Sequence, residues 1–133
     1  MKVQAIEGIG AVFGDKLAAA GVATTGALLK AGSSPSGRKG LAARSGIEEK
    51  KILEWVNHCD LMRVSGVGPE YSDLLEAAGV DTVRELAQRR PDNLHARIIE
   101  VNEAKKLVRR PPSAGMVGDW VTAAKELPRG ITY

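Results

Sequence analysis

Two short runs, Gly8-Ile9-Gly10 and Gly66-Val67-Gly68, are the residues whose types and spacing could do chemistry in this chain. Glycine lets the backbone turn tightly and approach a ligand closely, and a helix that starts there aims unpaired N–H groups outward, where a phosphate or carboxylate can be held. Ile9 or Val67, between the glycines, is placed to plug the core. The candidate donors are Gly8, Gly10 and Ala11 in the first copy and Gly66, Gly68 and Glu70 in the second. Pro69 has no N–H, so the second copy lacks one donor. Cations are the other ingredient of an anion site. Lys16 follows the first run, whereas its equivalent after the second is Leu74. Lys105, Lys106, Arg109 and Arg110 crowd the later part of the chain together with Arg84, Arg89, Arg90 and Arg97. Arg38, Lys39, Arg44, Lys50 and Lys51 occupy the equivalent part of the first half. Such clusters could track a phosphodiester backbone. The interleaved Glu85, Asp92, Glu100 and Glu103 also suit a plain solvated helix face.

Other chemistries find no pattern. His58 and Cys59 are adjacent on a helix and so face different ways, and with His95 they give no metal-ligand spacing. Cys59 falls on an apolar stripe, where a small buried hydrophobe is the expected role. No third glycine stands at Phe13 or Tyr71, so a dinucleotide fingerprint is not formed. No pair of carboxylates is spaced to act across a bond. The expectation is a protein that is not an enzyme, with no cofactor and no metal. No aromatic lies among the cations, which does not suit a stacking platform for single strands.

The elements that must position these residues are duplicated. Gly8 and Gly66 are fifty-eight positions apart, and at that offset Phe13 meets Tyr71, Leu17 meets Leu75, Gly21-Val22 meets Gly79-Val80, Thr24 meets Thr82 and Leu28 meets Leu86. With 133 residues, 44% hydrophobic and only 4% aromatic, the chain is expected to be all-α, its two repeats sharing one core in a single domain over residues 1–133. Repeat one covers about 1–60 and repeat two about 61–127, with a short tail. Helices are expected over 11–20, 24–31, 38–44, 70–78 and 82–88, and from Pro91 onward. Gly21 and Gly79 are the left-handed stops, and Thr82 with Glu85 forms a capping box. Ser33 to Gly37 reads as a turn or cap. Ile52, Trp55, Val56, Cys59 and Met62 form one apolar stripe on a helix over 48–62 that leads into the second hairpin. Met116, Val117, Trp120, Val121 and Ala124 repeat that stripe sixty-five positions on from Trp55, so repeat two holds seven extra residues. A pseudo-two-fold closure follows, with the last helix packed where the first hairpin lacks a partner. Deleting residues 113–133 should then unfold the N-terminal half as well.

These residues resemble the tandem form of the helix-hairpin-helix motif: Gly8-Ile9-Gly10 with Leu17 and Ala20-Gly21-Val22, and Gly66-Val67-Gly68 with Leu75 and Ala78-Gly79-Val80. Leu61-Met62-Arg63, Tyr71-Ser72-Asp73-Leu74-Leu75 and Lys105-Lys106-Leu107-Val108-Arg109-Arg110-Pro111 look like the bacterial family catalogued as domain of unknown function 4332. The stretch from Gly79 to Leu86 is also similar to the DNA-contacting C-terminal domain of the RNA polymerase alpha subunit and to small domains of recombinases. The resemblance implies that hairpin amides and nearby cations hold a nucleic-acid backbone without reading sequence. The expected site is Gly8, Gly10, Ala11, Lys16, Gly66, Gly68, Lys105, Lys106, Arg109 and Arg110. DNA-binding hairpins often carry Lys or Arg directly after the second glycine. Here Ala11-Val12-Phe13 and Pro69-Glu70-Tyr71 stand instead, and Glu7, Glu70 and Asp73 would repel a phosphate. The first hairpin is therefore the better phosphate holder, and the second can be mainly architectural. The alternative is an adaptor that keeps the fold and docks a protein partner. A net charge of +3 permits either. The lone cysteine and the absence of any run near the roughly 20 apolar residues of a membrane span point to a soluble, cytoplasmic protein.

Overall fold

A computed structural model describes residues 1–133. The chain is all-α: a 3-10 turn at Val3–Ala5 precedes eight helices, and the sole extended pairing is an isolated bridge between Lys2 and Thr24. It divides into two compact units, Met1–Asp60 with Gly130–Tyr133, and Leu61–Arg129. The first holds α1 (Gly10–Ala19), α2 (Thr25–Ala31), α3 (Pro35–Ser45) and α4 (Glu49–Leu61), the last residue of which opens the second unit. The second holds α5 (Pro69–Ala77), α6 (Val83–Ala87), α7 (Pro91–Lys105) and α8 (Ala114–Glu126).

The hydrogen bonds of one unit recur in the other at the fifty-eight-residue offset. Ile6 N–H donates to the Val3 carbonyl and Ile9 N–H to that of Ile6, while Val64 N–H donates to Leu61 and Val67 N–H to Val64. Each pair makes two consecutive tight turns that bury every third side chain: Val3, Ile6 and Ile9 in one unit, Leu61, Val64 and Val67 in the other. The next helix ends the same way in both. Val22 N–H reaches back to the Leu17 carbonyl at 2.8 Å and Val80 N–H to that of Leu75 at 2.9 Å, each past a left-handed glycine, so carbonyls the helix end leaves open are satisfied. Thr24 and Thr82 then cap α2 and α6, accepting from the N–H groups of Ala27 at 3.1 Å and Glu85 at 3.2 Å. The Glu85 carboxylate accepts from Asp81 N–H rather than from that of Thr82, one residue earlier than a capping box requires.

The later helices differ in length, which locates the seven extra residues. α6 is two residues shorter than α2, α7 is four longer than α3, and the connection before α8 is five longer than the one before α4. α3 starts before its sequence-based boundary: Ser34 accepts from Gly37 N–H at 3.1 Å and Pro35 occupies the first turn, so the Ser/Gly/Pro stretch is a cap plus a helical turn.

Two placements of helices are corrected. The α4 stripe was expected to serve the second hairpin, but Ile52, Trp55, Val56 and Cys59 are buried within the first unit, with Trp55 against Phe13 at a ring separation of 5.2 Å. Met62 is half-buried and Leu61 takes the inward position, because the chain has already left the helix for the next tight turn. The last helix was expected to close the first unit. Its Val117, Trp120, Val121 and Ala124 instead join the core formed with α5, α6 and α7, and Trp120 meets Tyr71 at 5.1 Å. α8 therefore stands to the second hairpin as α4 stands to the first. Each large side chain so buried contributes about 1.5–3 kcal/mol relative to exposure.

Candidate nucleic-acid interface

The two glycine runs are not equivalent in conformation. Gly8 and Gly66 both adopt left-handed backbone, φ +91° and +88°, as the tight turn demands. Gly10 is also left-handed at +61°, whereas Gly68 sits at φ −96° as the extended N-cap of α5. The first turn of α1 carries no acidic residue, and its Gly10, Ala11 and Val12 N–H groups have no intrahelical acceptor. Ala11 and Val12 are exposed. In α5 the first turn opens with Pro69 and Glu70, which removes one donor and adds a repelling carboxylate.

Cations approach the two turns from different elements. In the first unit the Lys16 ammonium lies 5.9 Å from the Phe13 ring centre, leaning back along α1 toward its start. Lys51, from α4, lies 5.6 Å from the same ring. Both attractions are of the cation–π kind, and they hold two positive charges beside the aromatic that follows the first glycine turn. At the corresponding places in the second unit stand Leu74 and Met116. There the charge comes from the lengthened connection after α7. A groove of about 800 Å³ is lined by Glu70 and Tyr71 of α5 and by Asn102, Lys106, Arg109 and Arg110 among others. The Tyr71 hydroxyl donates to the Arg110 carbonyl at 3.0 Å, joining the loop to the helix start. Of the residues expected to form the site, Lys106, Arg109 and Arg110 thus converge on the start of α5, next to Gly68. Lys105 is exposed at the end of α7 and does not line the groove.

The loop is held rigidly. The Asn102 side chain, buried, donates to the Val108 carbonyl at 3.1 Å and accepts from Val108 N–H at 3.0 Å. Lys106 N–H bonds the Asn102 carbonyl at 2.8 Å, and a His95 ring nitrogen lies 3.1 Å from the Pro112 carbonyl oxygen. Lys106 itself is left-handed at φ +52°, the one non-glycine residue with positive φ, where the cap of α3 uses Gly46 at +72°.

Other basic residues have local duties. Arg38 is buried: one guanidinium nitrogen donates to the Gly32 carbonyl and the other to that of Thr132, both at 2.9 Å, and the group lies 5.7 Å from the Tyr133 ring. It ties residues 130–133 to the first unit and is not available to a ligand. Arg97 pairs with Glu100 at 2.9 Å and Arg90 with Asp92 at 3.5 Å, both exposed, as the solvated-face reading has it. Burial, reinforced by the Asp60 carboxylate, pushes the Cys59 thiol up to about 12, which keeps it protonated and unreactive. The groupings around Phe13 and Tyr71 were missed in the sequence. Lys51 is thirty-eight positions from Phe13, and the unequal connections before α4 and α8 were the one available signal for the groove.

No helix is long and apolar enough to cross a membrane. Residues 7–127 match the model of one family, described as Domain of unknown function (DUF4332). Neither the curated proteins nor the solved structures contain a match to this chain.

Proposed function

The chain belongs to this family of unknown function, and we propose that it is a non-enzymatic, tandem helix-hairpin-helix protein that grips nucleic-acid backbone without reading sequence. The observation that carries the reading is that each glycine turn opens a helix whose first aromatic residue has cations around it, from the same helix or from another element. In the first unit these are Lys16 and Lys51 around Phe13, and in the second Lys106, Arg109 and Arg110 around Tyr71. Backbone N–H groups supply direction and the cations supply attraction, which positions a phosphate but discriminates no base. The cytoplasmic location expected from the composition accords with a nucleic-acid partner.

The test is fluorescence anisotropy of a labelled random-sequence duplex over a salt series. Binding should be independent of sequence and weaken steeply with salt, and Lys51→Ala should lower the log–log salt slope by about 1. An absence of binding at low salt discards the reading. A protein-docking role draws support from Val12, a large apolar side chain 68% exposed in the first turn of α1. Under that role Val12→Asp abolishes partner capture while Lys51→Ala has no effect.

A further inference from the structure

We infer that the groove between the start of α5 and the loop after α7 prefers a phosphate monoester, the dianionic group at the end of a nucleic-acid strand, to the monoanionic diester along it. The inference rests on the backbone-binding reading only in taking a strand end as the source of the phosphate. Three cationic residues, Lys106, Arg109 and Arg110, and one acidic residue, Glu70, line the groove, a formal charge of two positive units. A monoester near pH 7 carries close to two negative charges, whereas a diester carries one. The volume, about 800 Å³, suits a terminal nucleotide and lies in the range of small-ligand sites.

The loop's construction points the same way. None of the three cations has a side-chain hydrogen bond or ion pair within the chain, yet the backbone that carries them is fixed by Asn102, by Tyr71 and by the contact of His95 with Pro112. A fixed frame removes the cost of ordering the loop backbone, so that only the three side chains lose freedom on binding. At the left-handed cap where the first unit places glycine, the second places Lys106, a residue strained by that conformation. Strain kept at a position where glycine serves in the companion repeat is accounted for if the ammonium has a ligand to meet.

The experiment compares a duplex bearing a 5′-phosphate with the same duplex bearing a 5′-hydroxyl, by anisotropy. In parallel, inorganic phosphate is titrated while the amide resonances of residues 106–110 are followed by NMR. The phosphorylated duplex is expected to bind about tenfold more tightly, and inorganic phosphate to shift the loop amides. Both effects should vanish in the double variant Arg109→Gln, Arg110→Gln. Lys106→Gly should weaken both while leaving the fold intact, because glycine relieves the cap, so loss of binding there cannot be attributed to unfolding. Equal affinity for the two duplexes with unmoved loop amides overturns the monoester site and leaves backbone binding standing. Phosphate-driven shifts without affinity for any duplex uphold the site and overturn the nucleic-acid reading.

Discussion

The glycines of the two turns make different demands on their side chains. Gly10 sits at φ +61°, so Gly10→Ala should destabilise by about 1–2 kcal/mol even though a methyl group there meets open space. Gly68, at φ −96° and equally open, should accept alanine with little net change, the restriction of the unfolded chain being offset by alanine's poorer fit at the N-cap of α5. Denaturant midpoints of the two variants check this, and equal losses would contradict the assigned conformations. Cys59 provides a second residue-scale test. Its folded thiol titrates near 12 against 9.0 for a free thiol, so the unfolded chain gives up this proton first as pH rises. The contribution to stability is complete below about pH 9 and is lost as pH climbs toward 12. A thiol reagent at pH 8 should accordingly modify Cys59 only at the rate at which the chain opens. Prompt modification under native conditions would show the burial to be wrong.

At the scale of elements, the connection after α7 distinguishes the two units, and Asn102 is its fastening. Asn102→Ala removes two buried hydrogen bonds to Val108 and strands both partners, a loss of about 2–3 kcal/mol, and should speed hydrogen exchange at the Val108 amide. Unchanged protection of that amide would place the fastening elsewhere. This element also marks where the sequence ceased to be legible. The glycine stops, threonine caps and apolar stripes of both repeats could be read because each depends on residues within a turn or two of one another. The match of residues 7–127 to a known family agrees with the resemblance drawn from the same local signals. The seat of α8 was misplaced because its stripe shows that it must be buried and not against what. Arg38 was counted among ligand-facing cations because its carbonyl partners, Gly32 and Thr132, include one ninety-four positions away. The bond that joins the groove's loop to the start of α5, from Tyr71 to Arg110, spans thirty-nine positions, which no periodicity encodes.

For the molecule as a whole, the four residues Gly130–Tyr133 belong to the unit made by the first sixty. Ile131 is buried, Thr132 N–H donates to the Ser33 carbonyl at 2.7 Å, and the Tyr133 hydroxyl bonds Asn57 at 3.1 Å. Deleting only Gly130–Tyr133 should therefore destabilise the first unit by about 1.5–3 kcal/mol through Ile131 alone, with Arg38 losing a carbonyl as well. Faster hydrogen exchange in α3 is the expected readout, and unaltered exchange there would mean the tail is not held. This also supplies a different cause for the effect expected of removing residues 113–133. The first half suffers through loss of the tail, while the second half loses its own closing helix.

The chain has two tryptophans, and each lies against the aromatic that follows the glycine turn of its own unit, Trp55 on Phe13 and Trp120 on Tyr71. Replacing either one with phenylalanine leaves the emission of a single indole, reporting from one turn alone. Binding at that turn can then be followed by its intrinsic light, without a dye, and the two turns can be compared within the same fold.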